Sequence, residues 1–198
     1  MATAVNIAAQ IKQLLESLLQ PVLAPFLADW PPRTDCRAVH PASLPVLRWL
    51  PEMAGDGAAF GNEVVAAVCR AAPSLAWRQT YTANDLDTAF LNNYGWSEIL
   101  GANGPWPSER IACGFLMLGP STLYPRHRHE AEEIYLPLSG TAAWQQGDAV
   151  WREHAPGTLI HHAGNEPHSM RTGAAALLAL YLWRGNVARK ARLDAAVG

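Results

Sequence analysis

"YPRHRHEAEEIYLPLSG" occupies residues 124–140 and carries an unusual density of metal-capable side chains. His127 and His129 stand two apart, Glu133 follows four residues later, and Tyr135 two after that. In a β-strand, residues i and i+2 face the same way. His127 and His129 then share one face, and Glu133 and Tyr135 share another. A bend between the two pairs would let all four converge. A further ligand must come from elsewhere, and "HHAGNEPHSMRT" (161–172) offers His168, which follows a Gly/Pro turn and opens a short strand. Imidazole and carboxylate together suit one divalent transition metal ion: Zn, Fe, Mn, Co or Ni. Three histidines and one glutamate leave room for water or substrate, the arrangement of a catalytic site. The other histidines, His40, His154, His161 and His162, read as surface or hydrogen-bonded residues.

Working outward, the region from about residue 110 consists of short apolar or alternating runs between turn residues. They are "IACGFLML" (111–118), "EEIYLPL" (132–138), "TAAWQQ" (141–146), "AVWRE" (149–153), "GTLIHH" (157–162), "HSMRT" (168–172) and "AALLALYLW" (175–183). Such spacing predicts a β-sandwich or barrel. "LSGTA" (138–142) and "QQGDA" (145–149) read as hairpin turns, with Gly140 closing the first.

The N-terminal part reads differently. Ile7, Ile11, Leu14, Leu15, Leu18, Leu19, Val22 and Leu23 recur at helical spacing, with Pro21 kinking or stopping the helix. A Pro-rich loop follows over 28–45. A second helix is expected over 61–72, ended by Pro73. A third is expected over 82–93, capped by Thr82 or Asn84. The expected organisation is a helical extension over 1–100 packed on a β-barrel over 101–198. The segment 92–107, "NNYGWSEILGANGPWP", reads as a lid or as an ordinary connecting loop.

Composition narrows the function classes. Of the 198 residues, 49% are apolar and 16% charged, so the chain has a folding composition. A formal charge of −2 with scattered basic residues argues against nucleic acid or an anionic membrane as partner. Three isolated cysteines, Cys36, Cys69 and Cys113, fit a reducing compartment. No basic stretch precedes an apolar run at the N-terminus, and the longest apolar run, 174–183, is too short to span a bilayer. The expectation is a cytoplasmic protein, monomeric or homodimeric. Among the eight tryptophans, a minority are candidates to line a pocket for a cationic ligand, since indole faces attract cations.

The run His127-x-His129-xxx-Glu133-xxxxxx-Gly140 resembles the first cupin motif, and Gly164–Thr172 with His168 resembles the second. The resemblance implies a double-stranded β-helix barrel with the metal inside. Two positions depart from the pattern: Ser121 stands where a glycine is usual, and Thr172 where an asparagine is usual. The fuller combination, Tyr124-xx-His127-x-His129-xxx-Glu133-x-Tyr135 with a helical extension and "FLNNYGW" (90–96), is similar to the bacterial cupin dimethylsulfoniopropionate (DMSP) lyases of the DddQ type. That resemblance implies cleavage of DMSP to dimethyl sulfide and acrylate. By position, His129, Glu133, Tyr135 and His168 match the family's metal-site residues, with His127 beside them. Tyr135 matches its catalytic base, Tyr124 a second catalytic or substrate-positioning tyrosine, and Trp183 an aromatic pocket residue.

The residue types suit that chemistry. The substrate is a small zwitterion, a carboxylate at one end and a dimethylsulfonium at the other. A divalent metal acts on the carboxylate as a Lewis acid. Free tyrosine, with a pKa near ~10, is a poor base at neutral pH, and a nearby cation favours its phenolate. Trp183, Tyr124 and Trp144 are candidates to face the sulfonium. Fold alone does not choose among activities. A dioxygenase, a lyase on a related carboxylate, and a non-catalytic binding cupin stand as alternatives.

Overall fold

The computed structural model describes residues 2–32, 36–54 and 60–194. Part of the expected 28–45 loop, residues 33–35, lies outside them. Two antiparallel sheets form the body. The larger has the order β1-β2-β3-β10-β5-β8, from Trp77–Arg78 (β1), Tyr94–Leu100 (β2), Ile111–Leu118 (β3), Leu177–Arg184 (β10), Glu132–Ser139 (β5) and Ile160–His162 (β8). The smaller has the order β11-β4-β9-β6-β7, from Arg192–Leu193 (β11), Leu123–Arg128 (β4), His168–Thr172 (β9), Ala142–Gln146 (β6) and Arg152–His154 (β7).

Side-chain parity explains why the central strands are apolar on both faces. Along β3, Ile111, Cys113, Phe115 and Met117 belong to one core cluster, while Ala112, Leu116 and Leu118 belong to another. Along β10, Leu178, Leu180 and Leu182 join the first, and Leu177, Ala179 and Tyr181 the second. The first cluster is completed by helices α1 (Ala2–Ser17), α3 (Leu50–Ala54) and α4 (Asn62–Ala71), through Ile7, Ala8, Ile11 and Leu15, through Leu50 and Met53, and through Val64, Val65 and Val68. The second is the barrel interior, closed by Tyr124, Trp144 and Met170 of the smaller sheet. A sheet covered on both sides reads as continuous hydrophobic runs.

Several boundaries differ from the sequence expectations. The first helix ends at Ser17. Leu19 takes a positive φ of 51° and is 87% exposed, and Pro21 opens a 3-10 turn leading into α2 (Ala24–Ala28). The expected helix over 82–93 shrinks to α5 (Thr88–Leu91). Its cap is Asp87, whose Oδ1 accepts the Phe90 N–H at 2.7 Å, rather than Thr82 or Asn84. The Asp85 carboxylate instead takes the backbone N–H and hydroxyl of Thr82, each at 2.8 Å. That local turn competes with helix. Much of the expected lid, 92–107, is strand β2, and the larger sheet takes two strands from before residue 101. Gly140 does not close a hairpin, because β5 and β6 lie in different sheets. It turns the crossing between them, at φ +78°, where an added Cβ would sit 2.0 Å from the Ala176 carbonyl oxygen.

The two departures from the cupin pattern have local answers. Ser121 adopts φ 51°, the left-handed region that favours glycine. Thr172 does a side-chain scaffold job: its hydroxyl donates to the Gly119 carbonyl at 2.6 Å and accepts the Thr122 N–H at 2.9 Å.

Candidate active site

A cavity of about 450 Å³ opens into the barrel interior. Tyr124, His127, Glu133, Tyr135 and Trp183 all line it, together with Trp96, Glu98 and Tyr181. The cross-strand register puts the inward residues in rows: Ala112–Trp183–Glu133–His162, and beside it Glu98–Gly114–Tyr181–Tyr135. Trp144 is buried and packs 6.2 Å from Tyr135 between ring centroids, but it is not among the cavity's lining residues.

His129, Glu133 and His168 each offer a ligand atom, and these atoms lie within 4.8 Å of one another; of the three, Glu133 lines the cavity. His127 stands outside that trio. Its ring packs 4.2 Å from His168 and stacks on Tyr124 at 3.9 Å. All of these side chains are buried, Glu133 and His168 completely.

The imidazoles share one orientation. The Nδ1 of His127 lies 2.8 Å from the Pro125 carbonyl, that of His129 2.9 Å from Ala131, and that of His168 3.0 Å from Glu166. A carbonyl oxygen only accepts, so each Nδ1 carries the proton. In a neutral ring Nε2 is then a bare lone pair. Yet His129 Nε2 is 2.8 Å from Glu133 Oε2, and His168 Nε2 is 3.2 Å from the same oxygen. Lone pairs of nitrogen and carboxylate do not converge without positive charge among them. Either the rings take a second proton or a cation sits there. Backbone carbonyls that fix the tautomer are the usual support of metal-binding histidines. The Nε2 atoms of His168 and His162 are buried without a hydrogen-bond partner. The donor set fits a divalent transition metal.

Glu133 is the electrostatic centre. Burial pushes its carboxyl up, but His129 and His168 outweigh burial and hold it well below the usual carboxylate range. Its other oxygen accepts the Trp183 indole N–H at 2.6 Å. Trp183 also stacks on His129 at 4.0 Å. Tyr135 moves the opposite way: burial first, then the Glu133 charge, raise its phenol well above the usual value. Tyr124 is raised too, by burial and then by Tyr94 and Tyr81, and its hydroxyl lies 3.2 Å from that of Tyr81.

Two residues escaped the sequence reading. His162 is fully buried, stacks on His168 at 4.1 Å, and is lowered to about 3 by burial and then by His168. Strand alternation was the available signal, since His161 and His162 are adjacent on β8 and only one of them can face outward. Glu98 was hidden inside the expected lid.

Two packed antiparallel sheets with these side chains inside one end define a cupin-type double-stranded β-helix. The DMSP lyase family model matches residues 27–179, and the chain belongs to that family. A putative DMSP lyase, DddL, of Cereibacter sphaeroides is 38% identical over 125 residues, 62% of this chain and 51% of that one. The DMSP lyase DddQ of Ruegeria pomeroyi is 33% identical over 111 residues, 56% of this chain and 55% of that one. The matched segment thus spans about half the length of each of these curated relatives. The crystal structure of the R. pomeroyi DddQ superposes with a TM-score of 0.88 at 27% identity, covering 100% of this chain and 98% of that one. A chain from the crystal structures of the DMSP lyases RdDddP and RnDddQII gives 0.86 at 29%, covering 98% of both. No described helix is long and apolar enough to cross a membrane.

Proposed function

We propose that the chain is a metal-dependent lyase that cleaves DMSP by β-elimination to dimethyl sulfide and acrylate. The observation that carries the metal is the convergence of the His129 and His168 Nε2 atoms on the Glu133 carboxylate, with both Nδ1 protons committed to backbone carbonyls. Family membership supports the lyase reading. A divalent cation held by His129, Glu133 and His168, with His127 beside them, supplies Lewis acidity toward the substrate carboxylate.

The remaining work falls to the protein's own groups. Tyr135 lines the cavity two residues from Glu133 and takes the proton from the carbon next to the carboxylate. The C–H electron pair becomes the C=C bond, the C–S pair leaves with dimethyl sulfide, and the proton on Tyr135 returns to solvent. Burial and Glu133 alone hold that phenol protonated, so the role requires positive charge in the site. Tyr124, oriented by Tyr81 and stacked on His127, positions the substrate. Trp183 presents its ring beside the site, as an aromatic face suits a weakly hydrated cation.

The test is to load the purified protein with single metals, add DMSP and measure dimethyl sulfide by headspace gas chromatography. Turnover is expected with at least one of Zn, Fe, Mn, Co or Ni. No product with any of them would sink the proposal.

A further inference from the structure

Glu98 is about nine-tenths buried, lines the cavity, and has no ion pair among the described residues. Its Oε1 accepts two backbone N–H groups, from Asn103 and, at 2.9 Å, from Gly104. The loop between them is folded around that oxygen. At Gly101, an added Cβ would lie 2.7 Å from Glu98 Oε1. Arg37 attracts the Glu98 carboxylate, but its guanidinium is committed to the carbonyls of Gly101, Ala102 and Gly104. It braces the loop and acts on the carboxylate only at longer range; burial raises the Glu98 carboxyl overall, against the lowering pull of the Asn103 and Gly104 N–H groups, the Asn103 side chain and, last, Arg37. A carboxylate kept from water without a paired cation is costly, and a loop acceptor alone does not need the charge.

The register says what the charge faces. Glu98, Gly114, Tyr181 and Tyr135 form one inward row across four strands. Three strand spacings of ~4.8 Å separate Glu98 from Tyr135 along the sheet, about 14 Å. Gly114 contributes no side chain between Glu98 and Tyr181. The Glu98 charge is felt at the Tyr181 hydroxyl, second only to burial. The cavity lining thus holds two acidic groups. Glu133 is taken up by histidines and Trp183. Glu98 shares the lining with the rings of Trp96 and Tyr181 and with the cationic Arg78, Arg189 and Lys190, none of which forms an ion pair with it among the described residues.

We infer that Glu98 is a specificity residue that reads the positive charge at the onium end of a small zwitterionic carboxylate, while the histidine end holds the carboxylate. The inference rests on the lyase reading for the identity of the natural ligand. A matched pair of probes tests it: 3-(trimethylammonio)propanoate and its neutral carbon isostere, 4,4-dimethylpentanoate. The two share shape and carboxylate and differ in one charge. Their affinities for the metal-loaded wild type and for Glu98→Gln are measured by isothermal titration calorimetry. Gln keeps an oxygen for the two backbone N–H groups, removes the charge and replaces the other oxygen with an amide donor.

The wild type is expected to prefer the ammonium ligand. Glu98→Gln is expected to reduce that preference roughly tenfold, about 1.4 kcal/mol, with affinity for the neutral isostere unchanged. Equal weakening of both ligands would make Glu98 a loop brace and overturn the inference. An unchanged ratio in the variant would overturn it too. Equal wild-type affinity for the two probes overturns it even if the variant does not fold. Dimethyl sulfide release from DMSP by the wild type is measured alongside. No release, with the charge preference present and lost in Glu98→Gln, sinks the lyase reading and supports Glu98. Release with an unchanged ratio does the reverse.

Discussion

Replacing Trp183 with phenylalanine isolates one hydrogen bond at the centre of the site. Trp183 sits opposite Glu133 in the β5–β10 register and donates its indole N–H to Glu133 Oε1 at 2.6 Å. Phenylalanine keeps an aromatic ring where the indole stacks on His129 at 4.0 Å and loses the N–H. Glu133 is completely buried, so the abandoned oxygen has little solvent of its own. A hydrogen bond to a charged group contributes about 1.5–3 kcal/mol. Trp183 and Glu133 both border the cavity, so water replaces part of that bond, and the lower half of the range applies. For a chain of this size, 1 kcal/mol moves the melting temperature by about 2–4 °C. Trp183→Phe should therefore melt roughly 3–9 °C lower in the presence of a chelator. Because the bond also orients a proposed ligand, affinity for zinc should fall about 10–100-fold in a competition titration. The two readouts are separable. Unchanged melting together with unchanged metal affinity would refute the role assigned to the indole N–H.

Three further outcomes follow from the same geometry. Tyr135→Phe should lower dimethyl sulfide formation by at least about 10²-fold while metal content by elemental analysis stays near wild type; loss of the metal as well would make Tyr135 chiefly a ligand. Gly140→Ala places a methyl 2.0 Å from the Ala176 carbonyl oxygen at φ +78°, so urea unfolding should reveal a loss of about 3 kcal/mol or more, and wild-type stability would contradict the tight crossing. In the metal-free protein, burial, followed by the neighbouring His168, lowers His162 to about 3 and His127 well below the usual range. The unfolded chain, with histidines near ~6.5, then takes up protons first as pH falls. Stability is complete above about pH 6.5 and declines below it, by at most ~1.4 kcal/mol per pH unit for each histidine; a flat urea midpoint between about pH 7 and pH 5 would refute the buried neutral rings.

The strands around the site were legible in the sequence because their pattern is local. "IACGFLML" became β3 with the same ends, and two-residue alternation placed Glu133 and Tyr135 on one face, both lining the cavity. His168, called in from a distant Gly/Pro turn, arrives within reach of Glu133 through the pairing of β4 with β9, which sets His127 opposite it. What escaped is what tertiary contacts decide. The stretch 82–93 has helical composition, yet Asp85 and Thr82 close a turn inside it. "NNYGWSEILGANGPWP" looked like a loop because Gly95 lies inside β2 and Gly101, Gly104, Pro105 and Pro107 follow it. Only pairing with β1 and β3 makes it a strand and turns Glu98 inward. The shared Nδ1 orientation of the histidines depends on carbonyl positions that no spacing rule conveys.

The central claim is metal-dependent elimination. It is tested most directly by following three quantities in one sealed reaction of metal-loaded protein with DMSP: dimethyl sulfide, acrylate and dissolved oxygen. Elimination predicts dimethyl sulfide and acrylate in equal amounts, no oxygen uptake, and loss of both products on chelation or in Glu133→Ala. Oxygen consumption in step with substrate loss, or undiminished product after the metal is removed, would contradict it.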